Sequence, residues 1–148
     1  MCPASSWRSH MERSSMLLIP HPSCSKTTSW PDQHLVGVAG ATGAWLIAQH
    51  ADHDVAFQKM CLKLLNKKCK EGAASRQHVA YLADRIRVNR GLPQWYGTQF
   101  RLNSDNRLAP WPIQDKQRLR ARREKMGFGP FSAYQKKLMQ IQKRKSDT

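Results

Sequence analysis

Several patterns that identify common classes of enzyme and metal protein are missing from this chain. It contains no G-x-x-x-x-G-K-[ST] phosphate loop, no G-x-G-x-x-G turn, no H-E-x-x-H zinc motif and no G-x-S-x-G nucleophile elbow. Its four cysteines form no C-x-x-C pair, and this spacing excludes a zinc ribbon. The absence of these motifs still allows a binding role, or an acid–base chemistry that uses none of them.

Acidic residues are scarce. The chain has 10 Asp and Glu against 25 Lys and Arg, which gives a net charge of +15. Residues 116–145 hold eleven of the basic residues and one acid, Glu124. Because a cationic run of this density favours contact with polyanions, residues 116–145 are a candidate region for binding nucleic acid or another polyanion. The alternative is a solvated helix face, since no RNA-binding fingerprint accompanies the charges.

Long apolar runs are absent as well. The longest, residues 35–48, is rich in Gly and Ala and too short to cross a bilayer, so we predict a buried helix and no transmembrane segment. Gly37, Gly40 and Gly43 recur every three residues, which predicts close packing against a neighbouring element. The sparse, unpaired cysteines fit a reduced interior, and we expect a soluble, cytoplasmic protein.

The composition predicts three regions. Residues 1–28 contain seven serines, three prolines and one acid, which predicts a disordered or non-native N-terminal extension. The same composition is also typical of an organellar transit peptide. We expect a helical domain over residues 29–135 and a basic helical tail over residues 136–148.

Helical periodicity dominates residues 29–148, so we predict a mainly α fold, a single compact domain of about five helices. The apolar stripe of the second helix is Phe57, Met60, Cys61, Leu64 and Leu65. Aromatic and β-branched residues at 95–100, followed by the turn at 104–106, predict one short β-hairpin or extended segment. The predicted helix starts are Pro31 and the capping residues Asp52, Ser75 and Asp115, with a last start at Gly129–Pro130.

Three motifs occur in order along the chain: QHAD at 49–52, AYLADR at 80–85 and YGTQ at 96–99. The stretch from about residue 30 to 134 that contains them closely resembles a widespread, mostly bacterial family classed as a domain of unknown function and marked by QHAD, AYLxDR and YGTQ. The resemblance implies a compact, mainly helical domain and brings no established activity, substrate or cofactor. The helical segment that usually precedes Trp30 in the family is replaced here by the Ser- and Pro-rich residues 1–28.

The motif residues predict one polar site between the end of the first helix, the third helix and the YGTQ segment, because buried polar groups must find partners. In this hypothesis His50 acts as a general base whose tautomer is set by Asp84. No nucleophile accompanies His50, so acid–base chemistry with water fits better than covalent catalysis. The predicted catalytic residues are His50, Asp84 and Tyr96, and the predicted ligand-binding residues are Gln49, Arg85, Thr98, Gln99 and Arg123.

Other interpretations of the same residues stay open. Asp84 and Arg85 can form buried ion pairs with Arg123 or His50 that only stabilise the fold. His50, His53 and Asp54 have the spacing of helical metal ligands, but a new helix at Asp52 would break that register, so no metal and no cofactor is predicted. The sequence thus predicts a small-ligand-binding or hydrolase-like domain, a basic module that binds RNA or another polyanion, or a structural or interaction protein. Whether it is an enzyme stays open.

Overall fold

Five α-helices and one β-hairpin build residues 29–146, the part of the chain that the computed structural model describes. The prediction of a mainly α fold with five helices and a hairpin is confirmed. The predictions for residues 1–28 lie outside the described residues. The helices are Gln33–His50 (α1), Val55–Lys70 (α2), Arg76–Asn89 (α3), Leu119–Lys125 (α4) and Phe131–Ser146 (α5); the antiparallel strands are Phe100–Leu102 (β1) and Leu108–Pro110 (β2).

Short polar side chains begin the first three helices. Asp32 accepts hydrogen bonds from the backbone amides of His34 and Leu35, and Ser75 accepts one from Gln77, as its predicted capping role requires. The prediction that Asp52 caps α2 is wrong. Asp54 accepts from the amide of Phe57 and starts the helix two residues later, because the Asp52 carboxylate is engaged by α3.

The hydrophobic core lies between α2, α3 and the end of α1. Cys61 and Leu65 of α2 are buried against residues of α3 that include Leu82, and Ala48 of α1 closes one side. Full burial of a side chain such as Leu65 or Leu82 stabilises the fold by about 1.5–3 kcal/mol. The stripe predicted for α2 therefore faces the core, with Leu65 fully buried.

Helix α1 packs on its neighbours only through its second half, where Ala48 and Gln49 are buried but Ile47 is still 68% exposed. The Trp45 ring stacks on His78 of α3 at 4.2 Å, and its indole N–H donates to the His78 carbonyl oxygen. In the first half Leu35 and Val38 are 69% and 71% exposed, so the prediction of a buried helix is wrong there. The apolar residues of this stretch surround the helix and form no single stripe, so packing on one side leaves the rest exposed.

The glycine stripe of α1 has no close neighbour from another element in the described chain. A Cβ atom added at Gly37 or Gly43 would meet nothing within 4 Å, and one added at Gly40 would meet only Val36 of its own helix. The expected close packing is therefore not found among residues 29–146. In the same region no helix combines the length and the apolarity that crossing a membrane requires.

Helix α5 holds the hairpin in place. The Phe100 ring lies 6.1 Å from that of Phe131 and 5.7 Å from that of Tyr134, measured between ring centroids. The Gln142 side chain accepts from the Leu108 amide at 3.0 Å and donates to the Asn106 carbonyl oxygen at 2.7 Å. The predicted division between residues 135 and 136 falls inside α5.

Candidate functional site

Asp84 is the centre of the polar site. It lies on the face of α3 that also carries buried Ala80 and Ala83, and its exposed fraction is 0%. The carboxylate accepts from the backbone amides of Trp95, Tyr96 and Thr98 and from the Thr98 hydroxyl, at 2.7–3.1 Å. Burial raises the pKa of Asp84, and these donors oppose that rise by stabilising the charged form. Asp84 thus fixes residues 95–98, which we name the 95–98 loop.

The 95–98 loop can wrap around a carboxylate because Gly97 has a φ of +70°, a value that favours glycine. A Cβ atom at Gly97 would lie 2.7 Å from Cε2 of Phe131, the first residue of α5. Burial and the nearby Asp84 raise the pKa of Tyr96, so its hydroxyl stays protonated at neutral pH. The loop is therefore shaped by Asp84 from one side and by α5 from the other.

Two glutamines close the base of the loop. The Gln94 side chain donates to the carbonyl oxygens of Gln99 and Trp111 at 2.9 Å, and it accepts from the Gln99 amide at 2.8 Å. Gln94 has no exposed surface, so its amide replaces the solvent that would otherwise satisfy these backbone groups. Its role is to join the 95–98 loop to the chain that follows the hairpin.

A second network surrounds Asp52 and Arg85. The Arg85 guanidinium binds both carboxylate oxygens of Asp52 and also donates to the Gln99 side chain at 3.2 Å. Asn89 adds a hydrogen bond to Asp52 at 2.8 Å. The hydrogen bond from Arg85 is the largest cause that lowers the pKa of Asp52, to about 2. The pair therefore stays ionised at neutral pH and joins the α1–α2 connection to α3.

Gln58 supports the end of α1. Its buried side chain donates to the Ala48 carbonyl oxygen at 3.1 Å and accepts from Asn89 at 3.2 Å. Gln49 is also buried, and its Oε1 is the single sealed side-chain polar atom without a hydrogen-bond partner among the described residues. Gln58 thus adds a second donor to the Ala48 carbonyl oxygen, which also accepts from the Ala51 amide at 3.4 Å at the end of α1.

His50 does not reach Asp84. It is the last residue of α1 and its side chain is exposed, whereas the Asp84 carboxylate is occupied by the 95–98 loop. The predicted pairing of these two side chains is therefore wrong. The physical reason is that backbone amides of a nearby loop satisfy the buried carboxylate, so no histidine is needed to do so.

Arg123 approaches the loop from the opposite side. Its Nη1 donates to the Tyr96 carbonyl oxygen at 2.7 Å and its Nε to the Gly129 carbonyl oxygen at 2.9 Å. It is 2% exposed and forms no ion pair with a described acid. A cavity of about 270 Å³ opens beside it. The ion pair of Arg123 with Asp84, which the structural interpretation of the motifs allowed, is not formed.

The predicted site residues are thus only partly brought together. Asp84, Tyr96, Thr98, Gln99, Arg85 and Arg123 form one connected cluster, and Gln49 joins it through its backbone carbonyl oxygen and Gln58. His50 stays outside. Four residues of these networks were assigned neither a catalytic nor a ligand-binding role: Asp52, Gln58, Asn89 and Gln94. For Gln58 and Asn89 the sequence does contain a signal of burial. Each lies at helical spacing from apolar core residues, where a polar side chain must find a buried partner.

The cluster is arranged to hold the chain together. Its carboxylates and amides bond mainly to one another and to the backbone, and the cavity beside Arg123 is lined by neither His50 nor Asp84. Among the described residues no group of three or more His, Cys, Asp or Glu side chains is placed to hold a metal ion. Arg123 is the cluster member that combines burial, charge and an adjoining cavity.

The comparisons with known proteins give a family. No curated protein and no solved structure matches the chain. A family model described as "Family of unknown function (DUF6624)" matches residues 24–145. That range includes every residue of the polar cluster and most of the chain. The protein is therefore a member of the DUF6624 family, whose function is unknown.

Proposed function

We propose that this protein binds nucleic acid through the α4–α5 basic surface, defined as the exposed Lys and Arg side chains of residues 116–145. The observation that carries the proposal is the distribution of charge. Eleven cations and one acid lie in this range, and Glu124, the acid, pairs with Arg120 at 2.9 Å. Lys125, Lys136 and Lys143 are exposed and pair with no described acid.

The remaining acids neutralise little of this surface, because only Asp115 pairs with one of its residues, Arg118, and most of the others are engaged elsewhere in the described chain. Among the described acids only Asp105, in the hairpin turn, has no side-chain partner. The net field of the surface therefore stays positive, and such a field attracts phosphate backbones and accelerates association. The engaged acids are Asp32 and Glu71 with Lys68, Asp52 with Arg85, Asp54 as a helix cap, Asp84 with the 95–98 loop, and Asp115 with Arg118.

The hairpin widens the surface. Gln142 of α5 holds Asn106, and the neighbouring Arg107 and Arg101 are exposed on the same hairpin. Helix α2 carries a second row of lysines, and four of them line another cavity, of about 470 Å³. The larger number of cations, eleven in residues 116–145 against five in α2, favours α4 and α5 over α2 as the contact region. A hydrolase-like role centred on His50 has less support, because His50 is exposed and unpaired with Asp84.

The test compares two variants that lose the same charge. In the first, Lys125, Lys136, Lys143 and Lys145 become glutamine; in the matched control, Lys59, Lys63, Lys67 and Lys70 of α2 become glutamine. Affinity for a fluorescent single-stranded RNA is measured by anisotropy over a range of salt concentrations. Each lost phosphate contact reduces the slope of log affinity against log salt by about 0.7. We expect a reduction of up to about 3 for the first variant and less than 1 for the control.

Two results would contradict the proposal. One is RNA binding by the wild type that does not weaken as salt rises, since counterion release would then be absent. The other is an equal loss in both variants, which would mean that total charge matters and the α4–α5 basic surface does not. Circular dichroism of each variant controls for loss of helix.

A further inference from the structure

Arg123 is a buried cation that forms no ion pair in the described chain. Its exposed fraction is 2%, and the groups around its guanidinium are the rings of Phe128, Phe131 and Tyr134, at 5.0–5.6 Å from ring centroid to Cζ. The ring faces attract a cation, but they do not neutralise it. A buried charge that has no ionic partner is costly, so an anion that reached it would be held strongly.

The guanidinium also has donors to offer. Arginine carries five N–H groups, and the hydrogen bonds that Arg123 makes within the described chain use its Nε and Nη1 atoms. No hydrogen bond that is seen within the described chain uses its Nη2. The access route is the cavity of about 270 Å³, which we name the Arg123 cavity.

The other walls of the cavity suit a small anion with an apolar part. Lys137 supplies a second cation, and the lining residues include no acid. Phe128 and Tyr134 supply aromatic surface. The hydroxyls of Tyr81 and Tyr134 share one hydrogen bond at 3.4 Å, which leaves one of their two O–H groups free to donate. The volume lies just below the range of about 300–1,000 Å³ typical of drug-sized ligands, so the ligand must be small.

We propose that the Arg123 cavity binds a small organic oxyanion, either a carboxylate or a phosphate. Arg123 receives the anionic oxygens through its Nη2 edge, Lys137 adds charge at the rim, and the rings of Phe128 and Tyr134 contact the apolar part. This site shares only Lys137 with the α4–α5 basic surface. It is small and walled by aromatic rings, whereas nucleic acid would contact exposed lysines, and the nucleic-acid variants leave Lys137 unchanged.

The experiment uses the full chain and two probes, benzoate for the carboxylate and inorganic phosphate for the phosphate. Binding is measured by calorimetry at constant ionic strength, because a chain of charge +15 attracts anions in general. Arg123 itself is a poor first target, since it also holds the Tyr96 and Gly129 carbonyl groups. The variants are therefore Lys137→Glu, at the cavity, and Lys136→Glu, an exposed neighbour outside the cavity lining that changes the net charge equally.

We expect at least one probe to bind the wild type, with affinity kept in Lys136→Glu and reduced about tenfold or more in Lys137→Glu. Benzoate binding alone identifies a carboxylate site, and phosphate binding alone identifies a phosphate site. The Arg123 Nε–H resonance, followed by NMR, should shift as the probe is added. The proposal is overturned if neither probe binds at about 10 mM, ten times a Kd of 1 mM. Equal affinity in the two variants would overturn it too.

Discussion

Replacing Asp84 with alanine is expected to remove a large part of the free energy of unfolding. The carboxylate accepts from three backbone amides and one hydroxyl, all in the 95–98 loop. Each buried polar group left without a partner costs about 1–3 kcal/mol. Even if water reaches some of them, we expect a loss of about 3–5 kcal/mol, from a total that is typically about 5–15 kcal/mol.

Urea denaturation followed by circular dichroism measures this loss. Asp105→Ala is the matched control, because Asp105 is an exposed acid in the hairpin turn and should change stability by less than about 0.5 kcal/mol. An Asp84→Ala protein as stable as the wild type would show that the carboxylate does not hold the loop. Asp84 would then be available for chemistry, as the catalytic prediction requires.

Replacing Gly97 with alanine is expected to have the second-largest effect. The residue has a φ of +70°, which costs an L residue about 1–2 kcal/mol. The new methyl group would also lie 2.7 Å from Cε2 and 2.9 Å from Cδ2 of Phe131, so α5 or the loop must move. Such overpacking typically costs about 1–3 kcal/mol, which gives a total of about 2–5 kcal/mol.

The variant Gly91→Ala separates the cost of the positive φ from the cost of the contact with Phe131. Gly91 has nearly the same φ, +69°, but an added Cβ atom there meets nothing within 4 Å. We expect Gly91→Ala to lose only the conformational part, about 1–2 kcal/mol, in the same urea experiment. Equal losses in the two variants would mean that Phe131 does not press on the loop, and the role given to α5 would be wrong.

Local signals along the chain were sufficient for most of the fold. Ser75 begins α3, Pro130 precedes α5, and the stripe of α2 faces the core, because each feature depends on spacing within one helix. Asp52 shows where local reasoning fails. Asp52 and Asp54 are both suitable caps, and the choice between them was decided by Arg85, 33 residues away. A residue that distant leaves no trace in the local pattern.

The sequence predicted which residues form the polar site better than it predicted which of them bond to each other. The residues of the AYLxDR and YGTQ motifs, together with Arg123, do meet in one cluster. The expectation that Asp84 would bind His50 assumed that a buried side chain pairs with another side chain. Instead, the Asp84 carboxylate binds backbone amides, because the positive φ of Gly97 lets residues 95–98 turn their N–H groups towards it. The Arg123 cavity depends on α5 and residues 127–130, whose position no motif revealed.

The 95–98 loop shields the Asp84 carboxylate from solvent, and this interaction stabilises the fold. Amide hydrogen exchange at Tyr96 and Thr98, read by NMR on the unmodified protein, tests this most directly. The structure leads us to expect both amides to exchange as slowly as those of the buried α3 residues Leu82 and Ile86, through global unfolding. Fast exchange at Tyr96 and Thr98 while Leu82 and Ile86 stay protected would contradict the claim, because the loop would then open and expose Asp84.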